Sequence, residues 1–106
     1  MFGVGCVLLA VATAAWGYTG LSSSKIAELT AFAAENSNAN QLIVKLENGA
    51  ECNGRDTFAL MTAGAANQAA AALLTSAYLN DRLVGLEVDP SALINNRCKI
   101  VSVFLK

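Results

Sequence analysis

Two cysteines, Cys52 and Cys98, bracket a strand-like run, an uncharged alanine-rich helical run and a second strand-like run. A cross-link between them would tie the middle of the chain to its last element. Whether they pair depends on the third cysteine, Cys6, which lies in the nearly wholly apolar stretch Phe2 to Ala15. That stretch ends in Ala12-Thr13-Ala14-Ala15, small residues of the A-x-A kind that precede a secretory cleavage site. It stops at Trp16-Gly17-Tyr18-Thr19-Gly20, short of the roughly 20 apolar residues a transmembrane helix needs. Residues 1–15 therefore read as a signal peptide and 16–106 as one domain, with no stable membrane span and a periplasmic or secreted location. No Lys or Arg precedes the apolar run, and a buried N-terminal strand is the competing reading.

Cleavage removes Cys6 and leaves an even pair in an oxidising compartment, which predicts a single Cys52–Cys98 disulfide. Closing a loop of that length stabilises a small fold by about 4 kcal/mol in the chain-entropy model. For a domain of this size, holding about 5 to 10 kcal/mol in all, that is a large share.

Seven basic and eight acidic residues give a net charge of −1. Signs are interspersed along the chain, so the sequence carries no electrostatic footprint for nucleic acid. Arg97 and Lys99 flank Cys98, and two charges do not make a patch. The chain has no histidine, which excludes Ser-His-Asp and Cys-His nucleophilic sites and a four-ligand N/S zinc site within one subunit. Glu47 with Glu51 and Asp81 with Asp89 read as solvated carboxylates rather than an acid/base pair. Gly3, Gly5, Gly17 and Gly20 lack the strand-to-helix setting of a phosphate loop. No catalytic residue, metal or cofactor is expected, and an enzyme is disfavoured.

Short elements follow one another along the chain. Lys25 to Ala33 carries two patterns: Ile26, Leu29 and Phe32 fit a helical stripe behind Ser24, while the β-rich company fits a strand. A long, bent first strand is the preferred reading, because the other elements need a partner to close a sheet. Glu35 to Asn40 is a polar turn. Gln41 to Glu47 is the clearest strand, with Leu42, Val44 and Leu46 on one face, ended by Asn48-Gly49. Asn53-Gly54 marks a second turn before a third strand, Thr57 to Thr62. Ala65 to Asn80 reads as a helix of roughly 24 Å, with Ala66, Ala69, Ala70, Leu73, Leu74, Ala77 and Tyr78 on its apolar face. Arg82 to Asp89 is a fourth strand ended by Asp89-Pro90, and Cys98 to Leu105 a fifth.

The order β-β-β-α-β-β is that of a five-stranded OB-like barrel, a mainly β α+β fold. Trp16-Gly17-Tyr18-Thr19-Gly20 at the mature start, a cysteine after the second strand, a helix feeding Arg82-Leu83-Val84-Gly85-Leu86-Glu87-Val88, and a late cysteine resemble the B subunits of the subtilase-cytotoxin and pertussis-like toxins. Small uncharacterised periplasmic proteins share the layout. The resemblance covers nearly the whole mature chain at the level of element order. It implies ring assembly and glycan recognition, and assigns no residue here to a glycan pocket.

One observation bears on assembly independently: no charged residue occurs from Thr57 through Asn80. An isolated helix normally meets water with Lys and Glu. Here its outer face offers Gln68, Ala72, Thr75, Ser76 and Leu79, small or neutral side chains that let another copy approach. Alanine's helix propensity alone also accounts for such a face. For ligands, Trp16 and Tyr18 present flat apolar rings with polar tips. Asn53 and Arg55 sit on a loop with hydrogen-bonding groups. Each pair has a structural reading as well, closing the barrel's end and forming a tight turn. The chain is thus expected to be an exported binding module recognising a glycan or an envelope protein, or else a structural or inhibitory periplasmic protein.

Overall fold

The computed structural model describes residues 17–32, 36 and 39–106. The expected signal peptide, Trp16 and half of the 35–40 turn lie outside them. Strands β1 (Thr19–Ser24), β2 (Ile26–Ala31), β3 (Gln41–Leu46) and β4 (Thr57–Met61) precede helix α1 (Ala65–Leu79). Strands β5 (Val84–Ile94) and β6 (Arg97–Leu105) follow it. The sheet runs β1-β5-β6-β4-β3-β2. Its two outer members are successive in the chain, separated only by Lys25, so a single bent strand closes the sheet into a barrel. This is the long first strand, beginning earlier than the sequence suggested, and the fold is the expected OB-like barrel.

Ser24 makes the bend. Its buried hydroxyl donates to the Lys25 carbonyl at 2.8 Å and accepts the Asn48 amide at 3.0 Å, so the side-chain oxygen at the break in the ladder is satisfied both ways. Lys25 then turns outward to Asp81 at 2.8 Å, tying the bend to the chain just past α1. The ammonium–carboxylate contact lifts the lysine above its ordinary pKa, the hydrogen bond to Asp81 being the leading cause.

Alternation along β3 puts Leu42, Val44 and Leu46 into the core, where they meet Phe58 and Leu60 from β4, Val84, Leu86 and Val88 from β5, and Cys98 and Ile100 from β6. Outer-facing Ile43 is also buried, opposite Ala59. Strands β4 and β6 are joined by a parallel contact of only two residue pairs, Phe58 with Cys98 and Ala59 with Lys99. Helix α1 packs against β6, β2 and β4.

The helix presents a different face from the one expected. Leu74 and Ala77 are buried and Ala70 and Ala71 partly so, whereas Ala66, Ala69, Leu73 and Tyr78 are exposed. A run with alanine on every side has little periodic contrast, so the two large residues Leu73 and Leu74 compete for the core and the sequence does not rank them.

Pro90 does not end the fourth strand, which continues to Ile94. The ladder to β6 skips between Asp89 and Leu93, and β1 pairs no further than Val88, so no ladder bond requires an N–H at position 90. The strand then reverses through Asn95 and Asn96, both left-handed at φ 53° and 64°. Such a pair forms a two-residue hairpin turn.

Candidate functional site

The Cys52–Cys98 disulfide is present, with Cα atoms 6.2 Å apart. Beside it the structure ties the Asn53 turn to the Pro90 segment of β5. Cys52 and Arg55 exchange backbone hydrogen bonds of 2.9 and 3.0 Å across Asn53-Gly54, whose φ values of 53° and 78° suit a tight hairpin turn. From that turn the Asn53 amide donates to the Pro90 carbonyl at 2.8 Å and approaches Cys98 Sγ at 3.6 Å. Asn53 is therefore a clip fastening the turn to the irregular part of β5. Its donor is engaged with the protein itself.

Asp89 organises the other side of this irregularity. Its Oδ1 accepts the Ser91 hydroxyl at 2.7 Å and the Ser91 amide at 2.9 Å. These bonds, the hydroxyl's first, hold the carboxyl below its usual range, helped by Lys99 across the ladder. The start of the described chain runs past the same carboxylate: a Cβ built on Gly17 would stand 3.8 Å from Asp89 Oδ1, and Gly17 has φ 79°, where a side chain is strained. Tyr18 comes next, 43% exposed, immediately before Thr19 pairs with Val88.

Of the four binding candidates, Asn53 reaches the Asp89-Pro90-Ser91 segment, Tyr18 follows the glycine that passes Asp89, Arg55 is exposed at the end of the Asn53 turn, and Trp16 lies outside the described residues. Asp89 and Ser91 were not singled out as binding residues. The Asp-Pro-Ser sequence announces a turn in which an Asp side chain bonds two residues on, and that signal was available. Tyr18 and Arg55 are exposed, and Asp89 keeps one oxygen outside the Ser91 bonds; an aromatic ring, a guanidinium and a carboxylate are groups suited to stacking and hydrogen bonding. Among the described residues no group of three or more Cys, Asp or Glu stands close enough to hold a metal ion.

The clip has a measurable expectation. Asn53→Gly keeps the left-handed turn and deletes the bond to Pro90, and should lower stability by about 1 kcal/mol. Asn53→Ala should cost about 1 kcal/mol more, because a Cβ is introduced at positive φ. Urea unfolding of the two variants checks both values, and equal midpoints for Asn53→Gly and the parent would remove the clip.

A closed barrel of this order, with one helix and one disulfide among the described residues, defines a small OB-like α+β domain. No family model and no curated protein sequence matches it. Among solved structures it shares its fold with a chain of human heat-labile enterotoxin determined in complex with a blood group A antigen analog. The TM-score is 0.65 at 18% sequence identity, over 85% of this chain and 86% of that one. At that identity the likeness carries the fold. No described helix is long and apolar enough to cross a membrane.

Proposed function

We propose that this chain is an exported binding module that recognises a glycan or an envelope protein through the surface formed by Tyr18, Asp89, Ser91 and Arg55, with residues 1–15 removed as a signal peptide. The observation that carries the reading is the shared fold with a toxin chain solved in complex with a blood group antigen analog. The disulfide supports export, since such bonds persist in oxidising compartments. Tyr18 supplies the stacking face and Asp89 an acceptor for sugar hydroxyls or backbone amides. A glycan array probed with the processed, oxidised protein should give signals that Tyr18→Ala abolishes. Silence on the array together with a tight one-to-one complex in pull-downs would replace this reading with that of a protein that acts by occluding another.

The module assembles with copies of itself through α1. Leu73, Tyr78 and Leu79 stand exposed on the helix, Leu79 at 75%, beside the small neutral residues Ala72, Thr75 and Ser76. Between Thr57 and Asn80 there is no charge to oppose contact or to solvate an isolated face. Analytical ultracentrifugation at micromolar concentration should give a mass several times that of the monomer, and Leu79→Glu should return it to monomer. A monomeric parent protein at 100 µM, an on-the-order-of upper concentration for self-association of this strength, would overturn the assembly.

A further inference from the structure

Strand pairing assembles a cationic group that the linear order of charges conceals. Phe58 and Cys98 face each other inside the barrel, so their neighbours Thr57 and Ala59 on β4 and Arg97 and Lys99 on β6 share the outer wall. Lys45 joins them from β3, paired with Thr57. Arg55 stands two residues before Thr57, past the disulfide turn. Arg97 is held in place: its Nε donates to Thr57 Oγ1 at 2.9 Å and its Nη1 to the Asn95 carbonyl at 3.2 Å. Because the Thr57 oxygen accepts that bond, its own proton is free to point outward. Neither Arg55 nor Lys99 closes an ion pair among the described residues, and Lys45 has only a 3.5 Å contact with Asp56.

We infer that this wall is an oxyanion site for a phosphate or sulfate monoester group, seated between Arg97 and Lys99, with the Thr57 hydroxyl as a third donor and Arg55 at its margin. A guanidinium anchored on one edge still presents N–H groups in a fixed plane, and an adjacent ammonium adds a point charge; together these fit a compact, doubly charged anion. The carboxylates that face the same cations are Glu28 opposite Lys45, Asp56 beside it, and Asp89 opposite Lys99, the last bound to Ser91. Four cations against three carboxylates leave a field suited to one small anion rather than a track for a polyanion. The site shares Arg55 with the surface proposed above and borders it where Asp89 pairs with Lys99, but it does not use stacking on Tyr18, so failure on neutral glycans leaves it intact.

Amide chemical shifts of the folded, oxidised protein report the binding directly. Sodium phosphate and sodium sulfate, titrated against sodium chloride at equal ionic strength, should move Thr57, Arg97 and Lys99 saturably. Glycerol 1-phosphate and galactose 6-sulfate distinguish a phosphate from a sulfate ester, and saturable binding of either supports the site. Lys99→Gln, an exposed substitution, should weaken binding about tenfold, and Arg97→Gln at least as much, as expected for loss of a charge-assisted hydrogen bond. Equal shifts with chloride, or unchanged affinity in Lys99→Gln and Arg97→Gln, would overturn the assignment. So would binding of the inorganic ions with none of either ester, which would mark an adventitious ion only.

Discussion

Replacing Cys52 and Cys98 together with alanine should lower stability by about 4 kcal/mol, the chain-entropy value for a closed loop of this length. The cross-link joins positions 46 residues apart, and both sulfurs belong to the core, Cys98 fully buried and Cys52 at 8% exposure. Alanine leaves no polar group behind, so the loss reports the bridge and a small cavity rather than a buried hydroxyl. At about 4 to 8 °C per kcal/mol for a domain of this size, the melting temperature should fall by about 15 to 30 °C. The bridge is also structural in a local sense. It pins the Cys52–Arg55 turn to β6, and Asn53 fastens the same turn to Pro90, so two independent ties hold one loop to the β5–β6 hairpin. Amide exchange in the double alanine variant should accelerate first at 52–56 and 89–91, ahead of β3. A thermal midpoint within a few degrees of the parent would show that the barrel does not rely on the bridge.

How much of this was legible in the chain depends on whether the signal was local. Gln41–Leu46 alternates and is flanked by turn residues, and it is a strand at those positions. The cysteine pairing followed from counting. The helix's extent was legible because glycine precedes it and nothing inside breaks it, but its rotation was not, since alanine faces are interchangeable until a barrel end selects Leu74. Proline at 90 reads as a stop only if both strand edges need donors. That condition depends on where β1 ends, which is a tertiary fact. The same holds for charge: Arg97 and Lys99 looked like two isolated cations because Lys45 and Thr57 reach them only through the β3–β4–β6 register. Asn53 shows the reverse error. A polar loop residue reads as available for a ligand, yet its donor is committed to Pro90. Local propensity places elements, whereas the site is a property of register.

Phe58→Ala should be the most destabilising single core truncation, at about 3 to 5 kcal/mol. Phe58 is fully buried and the largest of the fully buried side chains. It sits opposite Val44 in the antiparallel ladder and opposite Cys98 in the parallel one. That second contact is the slenderest join in the barrel, two residue pairs wide, so little backbone hydrogen bonding holds β4 to β6 there. The ring fills it, and the disulfide and the Arg97–Thr57 hydrogen bond fasten it. Truncation removes the transfer free energy of the ring and leaves a cavity beside the bridge, which cannot collapse freely because Cys98 is tethered to Cys52. Phe58→Leu, keeping most of the volume, should cost only about 1 to 1.5 kcal/mol. Because ring and bridge support the same join, their losses should not add: with the cysteines replaced as well, the coupling measured in a double-mutant cycle should exceed about 0.5 kcal/mol. Urea unfolding of the four proteins gives that number, and additivity within error would mean that the join is held by the rest of the barrel instead.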